Sequence, residues 1–565
     1  MIHTDEQKLI FKFVENQQGH GIIDAVAGAG KTTTIMECAK FVEDKSKILF
    51  CAFNNSIANE IANKFYKIGL NEVTVKTIHA LGRQILQDNN NTNQPIKLEE
   101  NKYRELLKDN IIQEKVKPNY EKILKINGLE IDEYDDSRNF AANNLIAVIN
   151  SKMIDIIHKY RATLTKENID DFESLVIHFG IFNDIEVGKK NFKEEIKEYF
   201  EALKIILEAG NNLSQKTMII DYTDMLYLPV RWNQNPSTRF EFLFIDECQD
   251  LSKSQFAIAA KYGKKEGRIL AVGDPRQSIY GFTGADIDSF NRVKEFTKAT
   301  ELSLTTCFRC PQKVIELAKT IREDIVGNKT DEGIITTIHS DDVVNIAKPG
   351  DLIISRLRAP IVILVFSFID KNIKVKIHED EVREIINEIK NIFKQNELNV
   401  VISTLPNDFE QLRSVVQKRW NYIIKKEAER ITDNTEKSLY IERETEYIET
   451  KLTFLHKKYE QWKNDCETLT DIIRRIKDYI SATDNSIMLS TIHRAKGLEN
   501  KRVFILNYDE LPYYRVQQKD WEKTQELNLK YVAVTRTMNE LFLIESKKSE
   551  VIGESESLFD NLPFF

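Results

Sequence analysis

Residues 25–34, AVAGAGKTTT, place glycines, a lysine and threonines between a β-prone apolar run and a helix-competent segment. A glycine bend at a helix N-terminus directs backbone N–H groups and the positive end of the helix dipole toward one point, which favours phosphate. Lys31 has the charge and reach for terminal phosphates, and the Thr32 hydroxyl is a suitable Mg²⁺ ligand. The segment predicts a nucleotide phosphate site, and the alternative is a glycine bend before a core helix.

The match to the usual phosphate-loop pattern is imperfect, because Ala25 stands where glycine is expected. Gly28 and Gly30 still supply flexible positions at which backbone can approach a phosphate closely. The residues expected to surround the ATP phosphates are Ala27, Gly28, Ala29, Gly30, Lys31, Thr32 and Thr33.

An acidic pair, Asp246 and Glu247, follows the short apolar run at 242–245. Beside a phosphate loop, Asp246 is suited to hold Mg²⁺ and Glu247 to accept a proton from the attacking water. Two adjacent carboxylates repel, and a cation compensates them. The alternative is a helix N-terminus that simply carries acids. Gln277 follows the next apolar run, 269–272, and is a candidate sensor of the γ-phosphate.

Aromatic and polar residues follow other predicted strands at the edge where α/β sheets bind ligands. Aromatic faces accept any base, so such residues favour sequence-independent contact with single strands. Each also has a structural alternative, because an aromatic can belong to the core and a lone histidine is more often structural. The candidates for contact with the bases are Phe53, His79, Tyr280, Phe282 and His493, and Thr77 is the candidate for contact with phosphate.

Alternating strand and helix patterns surround these motifs and predict two α/β regions with parallel sheets. Two stretches break the pattern, because they are charged, helical in periodicity and poor in strand signals. Residues 89–215 and 379–480 are therefore predicted to be helical insertions, each about a hundred residues long. Irregular heptads favour a small helical bundle in the second insertion over a long coiled coil.

Bulk composition limits the remaining possibilities. A chain of 565 residues should form several domains, and a net charge of −8 argues against general coating of nucleic acid without excluding a local basic groove. Six scattered cysteines favour a reducing compartment, and Cys307 and Cys310 lack the second pair that a zinc site needs. We expect a cytoplasmic protein, because the N-terminus has no signal-peptide pattern and no apolar run is long enough to span a bilayer.

The ordered set of motifs resembles that of UvrD/Rep-type superfamily 1A DNA helicases. The motifs are AGAGKTT, AFNNSIANEI, TIHALG, DYTDML, FIDECQD, VGDPRQSIYGFTGA, LTTCFRC, STIHRAKGLE and YVAVTRT. The sequences of three motifs, AVAGAGKT, AFNNSIANE and GDPRQSIYGF, are most similar to the F-box DNA helicase branch. The resemblance covers both motor cores, somewhat over half of the chain, and does not extend into the insertions.

The resemblance implies two RecA-like P-loop NTPase domains, each with a helical insertion, that hold one ATP between them. The implied boundaries are 1–88 and 216–284 for the first motor domain, 89–215 for its insertion, 285–378 and 481–565 for the second motor domain, and 379–480 for its short insertion.

The resemblance also implies roles for single residues. Arg309 and Arg536 would be arginine fingers and Glu499 would contact the ribose. Gln7 would read adenine, although its position three residues after Thr4 also suits a helix capping box. Phe308 stands where the family has a tyrosine that stacks on adenine, and Phe282 where it has a tryptophan.

The implied activity is ATP- and Mg²⁺-dependent 3′-to-5′ translocation on single-stranded DNA or unwinding at single-strand/duplex junctions, in repair, recombination or anti-phage defence. The short second insertion favours translocation over strong unwinding. The alternative is an ATP-gated DNA-sensing subunit that recruits or activates a partner nuclease. The motor residues are the same in both cases, so the sequence leaves both open.

Overall fold

The computed structural model describes residues 3–16, 18–92, 94–131, 136–182, 190–281, 288–394, 409–428, 434–462, 464–480, 486–514 and 518–546. The chain divides into two compact units, Met1–Thr305 and Thr306–Phe565. Each unit contains a parallel sheet flanked by helices, which confirms the predicted α/β class. None of the helices in these ranges has the length and apolar character needed to cross a bilayer.

The first unit is built on a six-stranded sheet in the order β3-β2-β6-β7-β1-β8, in which every pair is parallel. The central strands are buried along their length, as expected for a parallel sheet that is covered on both faces. The strands of this unit, including a separate β4-β5 pair, are β1 (Gly21–Ala25), β2 (Ile48–Ala52), β3 (Thr74–Thr77), β4 (Lys97–Leu98), β5 (Ile219–Ile220), β6 (Phe240–Ile245), β7 (Gly263–Gly273) and β8 (Thr300–Leu304).

The helices of the first unit fall into two groups, those against the sheet and those of the insertion. Against the sheet lie α1 (Asp5–Asn16), α2 (Lys31–Cys38), α3 (Asn55–Lys67), α4 (Ile78–Asp88), α10 (Asp224–Arg231), α11 (Lys253–Lys261) and α12 (Ser289–Thr297). The insertion contains α5 (Lys102–Leu106), α6 (Asn110–Ile126), α7 (Asp136–Ala162), α8 (Ile169–His178) and α9 (Lys190–Thr217). The chain leaves the motor fold next to β4 and returns at β5, which pairs with it.

One expected boundary differs from the structure. Residues from 285 onward were assigned by the motif order to the second motor domain. Instead, β8 pairs with β1 over five residues, and the first unit continues to Thr305. In the described sheet β8 is the edge strand beside β1. At its end, the Leu304 carbonyl accepts the N–H of Val26, the residue that follows β1 and begins the phosphate loop, at 2.9 Å. The segment therefore supports the phosphate loop of the first unit.

The second unit repeats the design with a parallel sheet in the order β11-β16-β15-β12-β14-β13. Its strands, including a separate β9-β10 pair, are β9 (Thr306–Cys307), β10 (Val326–Gly327), β11 (Ile334–His339), β12 (Leu352–Ser355), β13 (Val375–Lys376), β14 (Ile487–Thr491), β15 (Asn500–Leu506) and β16 (Thr537–Glu545). Its helices are α13 (Gln312–Lys319), α14 (Val343–Ile346), α15 (Arg358–Asp370), α16 (Glu379–Asn391), α17 (Phe409–Ala428), α18 (Asn434–Trp462), α19 (Leu469–Ile480) and α20 (Asp520–Val534).

Candidate nucleotide and nucleic-acid site

The phosphate loop connects β1 to α2. Gly28 and Gly30 have φ angles of 69° and 75°, in the left-handed region that favours glycine. A Cβ atom at Gly30 would meet no atom within 4 Å, so backbone conformation rather than space requires glycine there. Helix α2 begins at Lys31, and its first N–H groups face the loop. The predicted strand–loop–helix context of a phosphate site is present.

The first acid of the motif at the end of β6 meets the phosphate-loop helix. The Thr32 hydroxyl donates to Asp246 Oδ2 at 2.6 Å, and the Glu247 N–H donates to Asp246 Oδ1 at 3.0 Å. Burial and the neighbouring Glu247 charge raise the pKa of Asp246 to about 6. A buried carboxylate beside a hydroxyl is an oxygen pair of the kind that Mg²⁺ prefers, so these two side chains fit the ion that the sequence predicted.

The second acid lies beside the lysine of the loop. Lys31 Nζ is 3.6 Å from Glu247 Oε1, and both side chains are mostly buried. Glu247 has a φ of 52°, a conformation that costs a non-glycine residue on the order of 1–2 kcal/mol. In this backbone conformation the carboxylate lies beside Lys31, where the sequence predicts a general base for ATP hydrolysis.

The Gln277 amide is buried next to this acidic turn. It follows β7, the neighbour of β6, and its Nε2 donates to Asp274 Oδ2 at 2.7 Å. The adjacent strand ends therefore bring Gln277 and Glu247 to the same edge of one sheet, as the sequence predicted.

Gln7 adopts the structural role that the sequence allowed. Its Oε1 accepts the Thr4 N–H at 3.1 Å and its own N–H donates to Thr4 Oγ1 at 3.2 Å, which completes a capping box on α1. Its Nε2 also donates to Thr34 Oγ1 at 3.0 Å on α2. The amide thus ties α1 to the phosphate-loop helix, and adenine recognition stays a prediction.

Three of the predicted rings, Phe53, His79 and Tyr280, follow strands of the first sheet. The Phe53 and Tyr280 rings stack with centroids 6.1 Å apart and an interplanar angle of 18°. His79 meets Tyr222 edge to face at 6.4 Å. Burial lowers the pKa of His79, so its ring is neutral near pH 7 and suited to stacking rather than to ion pairing with phosphate.

Thr77 and Phe282 complete the predicted set in this unit. Thr77 is the N-cap of α4, and its Oγ1 accepts the Ala80 N–H at 3.2 Å. A structural role accounts for this side chain, and contact with DNA phosphate stays a prediction. Phe282 lies outside the described residues.

In the second unit, Arg309 and Glu499 form an ion pair. Arg309 Nε donates to Glu499 Oε2 at 2.6 Å, and Nη1 donates to the Thr535 carbonyl at 3.1 Å. Phe308 is 38% exposed, which leaves a ring face available for stacking. Arg309 and Glu499, expected to contact different parts of ATP, thus contact each other in this arrangement.

Arg536 is 1% exposed, unlike Arg309. Its guanidinium donates to the Val532 carbonyl at 2.9 Å and the Leu498 carbonyl at 3.1 Å. In this arrangement the side chain therefore holds the backbone beside Glu499. Its role as an arginine finger stays a prediction that requires the side chain to leave these carbonyls.

His493 follows β14, as predicted. Burial and the nearby charges of Arg356 and Lys496 lower its pKa to about 3, so the imidazole is neutral at pH 7. Arg356 itself is fixed by Glu526, with Nη2 donating to Oε1 at 2.6 Å. The two predicted DNA-contacting histidines, one in each unit, are thus both neutral rings.

Cys307 and Cys310 are buried and interact with each other. The Cys310 N–H donates to Cys307 Sγ at 3.5 Å, and the hydrogen bond from the Cys310 thiol lowers the pKa of Cys307 to about 6. Within the described residues no group of three or more histidines, cysteines or acids has the arrangement of a metal site.

Sequence reasoning missed three residues that the structure places at these sites, namely Gln249, Asp274 and Tyr222. Gln249 connects Glu247 to Asp274 by side-chain hydrogen bonds, and Tyr222 adds an exposed ring beside His79. Each lies inside a motif that the sequence analysis singled out, FIDECQD, VGDPRQSIYGFTGA or DYTDML. The signal was therefore present, but residue type alone did not distinguish these positions from their neighbours.

The family model described as UvrD/REP helicase N-terminal domain matches residues 5–298, somewhat more than half of the chain.

Several named relatives are also found. The chain is 22% identical to an ATP-dependent DNA helicase PcrA of Leuconostoc citreum, over 54% of this chain and 38% of that protein. It is 22% identical to a probable DNA helicase II homolog of Mycoplasma pneumoniae, over 93% and 82%, and 23% identical to F-box DNA helicase protein 1 of Schizosaccharomyces pombe, over 96% and 57%. The chain thus spans less than half of the length of the first of these relatives.

Proposed function

The chain belongs to the UvrD/REP helicase family, and from this premise we propose that it is an ATP-dependent translocase or helicase acting on single-stranded DNA. One observation carries the proposal: Thr32 and Lys31 of the phosphate loop meet Asp246 and Glu247, at 2.6 Å and 3.6 Å. Phosphoryl transfer from a nucleotide requires a phosphate ligand, a metal ligand and a base close together, and the proximity of these four side chains supports the proposal.

The proposed hydrolysis begins with an exchange of partners. Lys31 is paired with Glu247, so an arriving terminal phosphate replaces that carboxylate as the partner of the lysine. Glu247, released from the ion pair, is then free to accept a proton from the attacking water. Thr32 and Asp246 would hold Mg²⁺, which when bound supplies positive charge beside the phosphates. Gln277 would orient toward the γ-phosphate, and Arg309 and Arg536 would stabilise charge in the transition state.

The proposed DNA contacts are stacking contacts. The Phe53–Tyr280 pair, the His79–Tyr222 pair and His493 offer neutral ring surfaces. Ring faces bind every base, so they give grip without sequence preference, which suits an enzyme that moves along DNA. Tyr280 lies three residues after Gln277, so the two proposed functions share one short segment.

ATP hydrolysis with and without single-stranded DNA tests the core of the proposal. We expect Lys31→Ala and Glu247→Gln each to abolish DNA-stimulated turnover, and Glu247→Gln to retain ATP binding. Glu37→Gln is the matched control, because this acid lies on α2 but pairs with Lys40 at 2.7 Å. DNA-stimulated turnover by the Glu247→Gln variant would contradict the assignment of the base.

Direction and mode of action need separate substrates. We propose 3′-to-5′ movement. Partial duplexes with 3′ tails should therefore be bound more tightly and unwound faster than those with 5′ tails or blunt ends. The time that the protein takes to reach the end of a single strand should increase in proportion to the length of the strand. Arrival times independent of length would instead favour the DNA-sensing alternative.

A further inference from the structure

Gln249 lies in the turn after β6 and is completely buried. Both its side-chain nitrogen and its side-chain oxygen form hydrogen bonds. Nε2 donates to Glu247 Oε2 at 2.6 Å and to Asp250 Oδ2 at 3.1 Å, while Oε1 accepts the Asp274 N–H at 3.0 Å. Because an amide has a fixed donor end and a fixed acceptor end, the side chain links the proposed base to the turn after β7 in one orientation only.

The same residue also contacts the segment that follows β7. The Ser278 hydroxyl donates to the Gln249 carbonyl at 3.3 Å, and Asp274, held by the Gln249 amide, accepts from Gln277 Nε2 at 2.7 Å. Two residues after Ser278, Tyr280 stacks on Phe53. Gln249 therefore touches both ends of the stretch that carries Gln277 and leads to Tyr280.

The backbone at Gly273 lies very close to the Gln249 amide. A Cβ atom at position 273 would lie 2.5 Å from Gln249 Oε1 and 2.9 Å from Cys248 Sγ. Because such distances are too short, space rather than backbone conformation requires glycine here. The close approach lets the amide reach the Asp274 N–H.

We propose that Gln249 is a positioning residue that couples occupancy of the Phe53–Tyr280 ring surface to the orientation of Glu247. The inference rests on the proposed function and adds to it. A base that stacks on Tyr280 displaces the segment containing Asp274 and Ser278, which pulls on the acceptor end of the Gln249 amide. The donor end then re-aims the Glu247 carboxylate, so DNA sets the geometry of the base. An arriving phosphate that replaces Glu247 as the partner of Lys31 acts on the same carboxylate, so we also expect bound nucleotide to change the affinity for DNA.

The test replaces the amide by an uncharged side chain of similar length, Gln249→Met. We expect the ratio of DNA-stimulated to DNA-free kcat to fall by about tenfold or more, because a misdirected base loses part of the roughly 10²–10⁴-fold that general-base catalysis supplies. The KM for ATP and the affinity for a fluorescent ATP analogue should stay near the wild-type values. A second readout needs no turnover: the Kd for a fluorescent oligonucleotide should no longer respond to a non-hydrolysable ATP analogue.

Gln255→Met is the matched control. Gln255 Oε1 accepts the Ser252 N–H at 2.8 Å in the capping box of α11, so the variant removes a comparable structural bond in the same unit without a link to Glu247. We expect it to lower the melting temperature and leave the stimulation ratio unchanged.

Gln249→Glu keeps an acceptor for the Asp274 N–H but removes the donor to Glu247, so it should lose stimulation as Gln249→Met does. A folded Gln249→Met or Gln249→Glu protein with the wild-type stimulation ratio and the wild-type response of DNA affinity to nucleotide would overturn the inference. An equal fall in both rates, with normal response of DNA affinity to nucleotide, would also overturn it. Wild-type protein without any DNA stimulation would instead refute the proposed function.

Discussion

The two helical insertions differ in how they join their motor folds. The first has an apolar core of its own, made only from residues of α5–α9 and the adjoining loops. Among the residues that the structure describes, the second insertion shares its core with the motor fold, because its buried residues form one cluster with α15, β13 and β14. An insertion with its own core can fold as a domain, whereas a shared core makes the insertion an extension of the sheet's covering layer.

The first insertion is fastened by buried charges. Lys102 Nζ donates to Asp224 Oδ2 at 2.6 Å, and both side chains are fully buried. Arg161 Nη1 donates to Asp224 Oδ1 at 2.8 Å and also reaches Asp221. Burial lowers the pKa of Lys102, although Asp224 opposes that effect. Since both acids precede or begin α10 of the motor fold, the network determines where the insertion attaches.

The second insertion is joined by ring stacking and aliphatic packing. Phe366 of α15 stacks on Phe454 of α18 with centroids 4.0 Å apart and an interplanar angle of 12°. Ile472 of α19 and Val375 of β13 belong to the same buried cluster. A buried charge network is costly to break because it leaves unpaired charges, whereas apolar packing resists separation because both faces would be exposed to water.

Deletion of each insertion should show the largest difference. Replacing residues 379–480 with a short Gly/Ser linker would expose the apolar faces of α15 and β13, so we expect aggregated protein. Replacing residues 99–215 removes a complete core and leaves Asp221 and Asp224 to be solvated, so we expect soluble protein that binds ATP. Size-exclusion chromatography and nucleotide binding measure both outcomes, and a soluble monomer without residues 379–480 would contradict the shared core.

The sequence predicted both insertions but not this difference. Amphipathic periodicity shows which face of a helix is apolar, as in Leu469–Ile480, but it does not show what covers that face. The position of β8 and the hydrogen bonds of Gln249 were missed for a similar reason. Both depend on which strands are neighbours, β8 with β1 and β6 with β7, and strand order is set by tertiary packing. The phosphate loop and the acidic turn were predicted because their chemistry is local in sequence.

Asp224→Ala should have the next largest effect. The change leaves Lys102 buried without its carboxylate partner, while Arg161 keeps Asp221. Breaking a buried ion pair by removing one partner typically costs about 3–5 kcal/mol. Hydrogen exchange should accelerate in α5, α7 and α10, while β1 and β6 keep their protection. The variant removes interactions of the charge network but leaves the apolar core of the insertion intact.

Glu198→Ala is the matched control for that prediction. Glu198 pairs with Lys122 at 3.1 Å inside the same insertion, but the lysine side chain is 60% exposed. An ion pair that is accessible to water on one side contributes about 0–1 kcal/mol. Equal destabilisation by the two variants would show that the buried network has no special part in attachment.

The smallest predicted effect gives the sharpest comparison. Ile472→Val and Ile206→Val each remove one methylene from a buried position, one in the shared cluster and one in the core of the first insertion. Each should cost about 0.5–1.5 kcal/mol without rearranging its surroundings. In the shared cluster the loss must reach the motor sheet, so Ile472→Val should accelerate exchange in β12–β14 as well as in α19. In the separate core the loss should stay within the insertion. Ile206→Val should therefore accelerate exchange in α6–α9 but not in β1, β2 or β6. Exchange confined to α16–α19 in the Ile472→Val protein would mean that the second insertion opens independently of the sheet, and the distinction between the two insertions would fail.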